Sequence, residues 1–91
     1  MNIIICDDRI DDRKNLSDLL SDYGEKKNYE FAITEYDSGE QLCEEQSALE
    51  ACQILFLDIN MQGMDGLKTA MRIKEKYPKL LKISSFASFI E

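Results

Sequence analysis

The chain contains no histidine, and its three cysteines, Cys6, Cys43 and Cys52, are widely spaced without a CxxC pair. Zinc sites and histidine-based catalysis within the chain are thereby excluded, and the cysteines read as small buried hydrophobes in a reducing compartment. Basic residues are also scarce: 11 Lys and Arg stand against 18 Asp and Glu, a formal charge of −7. A phosphate-backbone binder needs a basic stripe, so direct nucleic-acid binding is not expected. No apolar run reaches the roughly 18 residues of a bilayer span. The N-terminus, Met1-Asn2-Ile3-Ile4-Ile5-Cys6-Asp7-Asp8, has no basic region and meets acids at once, unlike a signal peptide. A cytoplasmic protein without membrane association is expected. Repeats, low-complexity segments and linkers are absent, so residues 1–91 read as one domain.

What is present is a globular composition, 44% hydrophobic and 32% charged. Ile3-Ile4-Ile5 is a short β-branched run that ends on acids, the mark of a strand buried on both faces. Over residues 10–23, Leu16, Leu19, Leu20 and Tyr23 recur at i, i+3, i+4 and i+7, which predicts a helix stopping at Gly24. Residues 29–34 alternate, with Tyr29, Phe31 and Ile33 on one side, as in a half-buried strand. Asp37-Ser38-Gly39 signals a turn before a short polar helix over about 40–46, with Leu42 and Cys43 inward. Ile54-Leu55-Phe56-Leu57 repeats the first pattern and again ends on an acid, Asp58. A loop rich in glycine and methionine follows. Then comes a helix over about 67–76, with Leu67, Ala70, Met71 and Ile73 as inner residues and Pro78 closing it. Residues 80–85 predict a fourth strand. The alternating order implies an α/β fold with parallel strands and right-handed crossovers.

Ligands of open α/β sheets gather at the carboxyl ends of the strands. There the first strand delivers Asp7 and Asp8, the third delivers Asp58, and the fourth delivers Ser84 or Ser85. Should the strand bearing Asp58 pair beside the first, three carboxylates converge. Such a set cannot stay fully ionised without a counter-charge, and a hard divalent cation such as Mg²⁺ supplies one. A carboxylate beside a cation is also a competent nucleophile toward phosphorus.

At these residues the chain resembles the receiver domain of two-component response regulators. The matching segments are Ile3-Ile4-Ile5-Cys6-Asp7-Asp8 and Leu57-Asp58-Ile59-Asn60-Met61-Gln62-Gly63-Met64-Asp65-Gly66. The family usually carries proline where Gln62 stands. The Asp-Ser-Gly turn before the second helix is similar to receivers joined to LytTR-type DNA-binding domains. The resemblance implies a flavodoxin-like (CheY-like) sheet and a signalling switch rather than an enzyme. It makes Asp58 the phosphoacceptor for a sensor histidine kinase. It assigns Mg²⁺ to Asp7, Asp8 and Asp58, with the backbone carbonyl of Asn60 as a further ligand. Ser84 takes the family's hydroxyl position if two residues are gapped after Pro78; without a gap Phe86 falls there. By the same resemblance a fifth strand and helix are missing, and with them the family's lysine, which Lys79 and Lys82 lie too close to the fourth strand to replace. The open sheet edge then invites a homodimer.

Plainer readings of the same residues exist. Asp7 and Asp8 suit the start of the helix that follows, where acids are worth about 1 kcal/mol. The segment from Asp58 mimics a calcium loop, but its twelfth position is Thr69 rather than glutamate. A phosphatase with an aspartate nucleophile would want a carboxylate where Asn60 stands. The alternative function is a non-signalling remnant that associates through its sheet edge.

Overall fold

The computed structural model describes residues 1–58, 66–78, 80 and 83–84. The elements run β1 (Asn2–Cys6), α1 (Ile10–Lys27), β2 (Ala32–Tyr36), α2 (Gly39–Glu44), α3 (Gln46–Ala51), β3 (Ile54–Leu57), α4 (Gly66–Lys76) and β4 (Ile83–Ser84). The strands form one parallel sheet in the order β2-β1-β3-β4. Ile3 of β1 lies opposite Ile33 of β2 on one side and Ile54 of β3 on the other. The strand bearing Asp58 therefore does pair beside the first. No helix among the described residues is long and apolar enough to cross a membrane.

Both faces of β1 are buried, which is why its sequence is continuously apolar rather than alternating. Ile3 and Ile5 join Phe56 of β3 under Leu16 and Leu20 of α1. Ile4 and Cys6 join Leu55 and Leu57 on the other face, beneath Leu42, Leu49, Ile73 and Leu80. Each such side chain contributes on the order of 1.5–3 kcal/mol by leaving water, so the sheet is anchored from both sides just below its carboxyl rim.

The helices differ from their sequence expectations in instructive ways. Helix α1 does not stop at Gly24 but continues to Lys27. Gly24 is buried, and a Cβ there would lie 3.0 Å from Phe31 Cδ2 and 3.1 Å from the Tyr29 carbonyl oxygen. This glycine permits close packing. Termination falls to Asn28, which adopts φ 58° and ψ 34°. Its N–H donates to the Glu25 carbonyl and that of Tyr29 to the Gly24 carbonyl, closing the last turn. Asp11 and Asp12 in the first turn and Lys26 and Lys27 in the last complement the helix dipole. On α4 Thr69 and Ile73 are buried and Ala70 is partly buried, whereas Leu67 and Met71, expected inside, are exposed. Leu19 and Tyr23 of α1 are likewise exposed, leaving Leu16 and Leu20 to face the sheet. The second strand starts at Ala32, later than its alternation suggested, and the short helix α3 was not anticipated. Helix α2 begins at a capped end, with Ser38 Oγ accepting the Gln41 N–H at 3.1 Å.

Candidate functional site

Parallel pairing of β1 with β3 sets Cys6 opposite Leu57, so the residues that follow, Asp7 and Asp58, leave the sheet side by side. The backbone continues the ladder past the strand ends. Asp58 N–H donates to the Cys6 carbonyl at 3.0 Å, and Asp7 N–H donates to the Tyr36 carbonyl of β2 at 3.1 Å. One carboxylate oxygen from each of Asp7, Asp8 and Asp58 lies within 4.8 Å of the others. No other group of three such ligands occurs among the described residues.

The three acids sit at different depths. Asp7 is 1% exposed, Asp58 is half-buried and Asp8 faces solvent. Asp7 Oδ1 accepts the Arg9 N–H at 2.9 Å. Its other oxygen, Oδ2, is buried and has no hydrogen-bond donor. Burial is the chief cause that lifts the Asp7 carboxyl to about 7. The Arg9 amide opposes the rise, while the charge and close approach of Asp58 add to it. Two facing carboxylates offer only acceptor oxygens, so this pair needs either a shared proton or a cation. A buried acceptor without a donor, set among hard oxygens, fits Mg²⁺, which favours carboxylate ligands and keeps several waters.

The plainer role for Asp7 is present as well, since Oδ1 organises the turn into α1. It engages only one oxygen and leaves Oδ2 to the cluster. No disulfide joins the three cysteines, of which Cys6 and Cys52 are buried. Burial raises all three, Cys6 to about 12, so none is a ready nucleophile. Asn60 lies outside the described residues. Ser84 has its backbone in β4, opposite Phe56, and its side chain lies outside what is described.

One residue at the site escaped the sequence reading. Arg13, 14% exposed at its side chain, donates from Nη1 to the Asp7 carbonyl at 2.7 Å and from Nε to Glu35 Oε1 at 3.3 Å. Its only signal in the sequence is a cation within the acidic start of α1, six residues after Asp7.

The topology and the acid cluster define a class: a CheY-like α/β domain whose carboxylates converge at the carboxyl ends of adjacent strands. The chain belongs to the response regulator receiver domain family, which matches residues 3–88. It is similar to a response regulator receiver domain protein (CheY-like) from Methanospirillum hungatei JF-1, with 30% identity and a TM-score of 0.69 over 90% of this chain and 60% of that one. It is also similar to the N-terminal domain of a response regulator/sensory box/GGDEF 3-domain protein from Carboxydothermus hydrogenoformans. There identity is 25% and the TM-score 0.74, over 91% of this chain and 61% of that one. The chain thus spans about three fifths of each of these two solved chains. No curated protein matches it.

Proposed function

We propose that the chain is a cytoplasmic phosphoacceptor switch that takes a phosphoryl group on Asp58 from a sensor histidine kinase. The carrying observation is the cluster of Asp7, Asp8 and Asp58 within 4.8 Å, with a buried oxygen of Asp7 lacking any donor. Asp58 is the member best suited to attack. It is half-buried, so an incoming phosphoryl group has access, and its backbone is pinned by the bond to Cys6. A carboxylate oxygen of Asp58 forms the new bond to phosphorus as the phosphorus–nitrogen bond of the donor phosphohistidine breaks. The imidazole leaves with the bonding pair. Asp7 and Asp8, with the Asn60 carbonyl, would hold Mg²⁺, which when bound neutralises charge on the phosphoryl oxygens. The Ser84 hydroxyl would donate a hydrogen bond to a phosphoryl oxygen, shifting a two-state equilibrium. The net charge of −7 supports a role without direct nucleic-acid contact, any transcriptional output residing elsewhere.

Incubation with Mg²⁺ and acetyl phosphate tests the reading by intact mass. One phosphoryl addition on wild type, absent on Asp58→Asn and absent without Mg²⁺, is the expected result. No addition to wild type, or equal addition to the variant, removes it.

A second reading has its own observation. Among the described residues β4 pairs with β3 alone and ends the strand order. An unpaired strand edge templates association with another chain, so a homodimer through β4 would make this an interaction module. Light scattering distinguishes them: a strict monomer at tens of micromolar sinks the edge-paired dimer.

A further inference from the structure

Asp7 is held from three sides. Its N–H is anchored to Tyr36 of β2, and its Oδ1 accepts from the Arg9 amide. Its carbonyl accepts from Arg13 Nη1 at 2.7 Å, the shortest of the three contacts. The Asp7 carbonyl belongs to the peptide joining Asp7 to Asp8. Fixing that carbonyl fixes how the two carboxylates diverge from the end of β1. The arginine is itself held. Its side chain is 14% exposed, its Nε meets Glu35 on β2, and its backbone N–H donates to the Arg9 carbonyl in the first turn of α1. Helix α1 has no side-chain cap at Arg9, so the Arg13 guanidinium joins the bond from the Arg9 N–H to Asp7 Oδ1 in tying its start to the strand end. Arginine suits the task because its planar fork engages two acceptors at once in a fixed geometry, as a lysine ammonium does not.

We infer that Arg13 is the positioning residue of the acid cluster, its bond to the Asp7–Asp8 peptide presenting both carboxylates to a divalent cation. The inference rests on reading the cluster as a divalent-cation site. Electrostatics alone predicts the opposite outcome on its removal. A positive charge beside an acid cluster repels a second cation, so deleting it should tighten Mg²⁺ binding. Loss of positioning should weaken it, by roughly tenfold, the lower end for removing an outer-shell support of a metal ligand. The sign of the change therefore separates the two roles. Glu35→Gln provides the structural control, because it breaks the ion pair and leaves the Asp7 carbonyl contact in place.

The experiment is calorimetric titration of Mg²⁺ into the 91-residue chain and its R13M, R13K and E35Q variants. Amide hydrogen exchange without metal runs in parallel. Expected are a roughly tenfold weaker Kd for R13M and a smaller loss for R13K, with E35Q close to wild type. Exchange at the Arg9 amide should accelerate in R13M while Ile4 and Ile5 stay protected, which also reports that the variant is folded. Should R13M prove unfolded, R13K carries the same comparison. Binding equal to or tighter than wild type in R13M, with Arg9 exchange unchanged, overturns the inference and leaves the cation site standing. Absence of Mg²⁺ binding in wild type overturns the cation reading and this inference with it. A loss in E35Q equal to that in R13M reduces Arg13 to an ion-pair partner.

Discussion

The two rims of the sheet are built on opposite terms. At the carboxyl rim, β1 and β3 end on acids, and a carboxylate is buried with one oxygen unsatisfied. At the amino rim, Tyr23, Tyr29 and Phe31 form a chain of tilted rings with centroids 6.1 and 5.9 Å apart, around a cavity of about 560 Å³ also lined by Met1 and Ile54. Like charges are crowded at one end of strands whose other end carries ring contacts and satisfied hydrogen bonds, among them the Met1 ammonium to the Glu30 carbonyl and Asn2 Nδ2 to the Ala51 carbonyl. Strain of the first kind costs stability unless a counter-ion relieves it, and the second kind contributes stability whatever the ionic conditions. The difference teaches that the fold alone leaves one end of the sheet incomplete, and it is the end to which the proposed function is assigned.

The contrast is broken most strongly by filling or discharging the acid rim. Mg²⁺ at one hundred times its Kd should stabilise wild type by about 2.7 kcal/mol and leave Asp7→Asn unchanged, as read by thermal melts. Proton linkage gives the accompanying pH profile. The folded carboxyl of Asp7 is raised from 3.8 to about 7, so between those values the folded state holds a proton that the unfolded chain has released. Stability without metal is then greatest at the acidic end of the window. It is lost as pH rises toward 7, and the deficit is complete above it. Melts in EDTA at pH 5 and pH 8 should show this fall in wild type and a much flatter profile in Asp7→Asn. An identical slope in both would detach the pH dependence from Asp7.

The amino rim should answer to packing instead. In Gly24→Ala the new Cβ would meet the Tyr29 carbonyl at 3.1 Å, a backbone atom fixed by the helix-terminating bonds. Overpacking costs roughly 1–3 kcal/mol and the gain in helix propensity returns about 1, so a net loss of about 1 kcal/mol is expected in urea unfolding, unaffected by Mg²⁺. The smallest effect belongs to Ser38→Ala. It removes the cap on α2 at an exposed amide that water can reach, which should cost about 0.5 kcal/mol with metal affinity unchanged. A large shift in Mg²⁺ affinity from either variant would erase the division between the rims.

Much of this was legible in the chain. The two apolar runs that end on Asp7 and Asp58 declare doubly covered parallel strands, because only burial on both faces permits uninterrupted isoleucine and leucine. Their adjacency follows from the common strand order of such folds. Gly24 misled because glycine ends helices by its backbone freedom and admits neighbours by its missing side chain, and the sequence does not say which is in use. Leu67 and Met71 misled because α4 carries two apolar stripes, and the sheet takes the one containing Thr69 and Ile73. Arg13 was invisible since its partner is a carbonyl, a group every residue possesses. Residue 60 and the side chain of Ser84 lie outside the described residues, and their roles rest on the family resemblance.

The register of β1 has a consequence for how the molecule is made. Ile3 must find Ile33 on one side and Ile54 on the other, so the middle strand is completed by two distant closures of the chain rather than by any hairpin. Loop closure over such separations slows folding far more than it weakens the product. During synthesis Asp7 and Asp8 emerge long before Asp58, and the third acid joins them only when the second crossover is laid down. The acid cluster therefore comes into being only when β3 takes its register against β1, and a divalent cation bound there should lengthen the lifetime of the finished fold while leaving the speed of its assembly almost untouched.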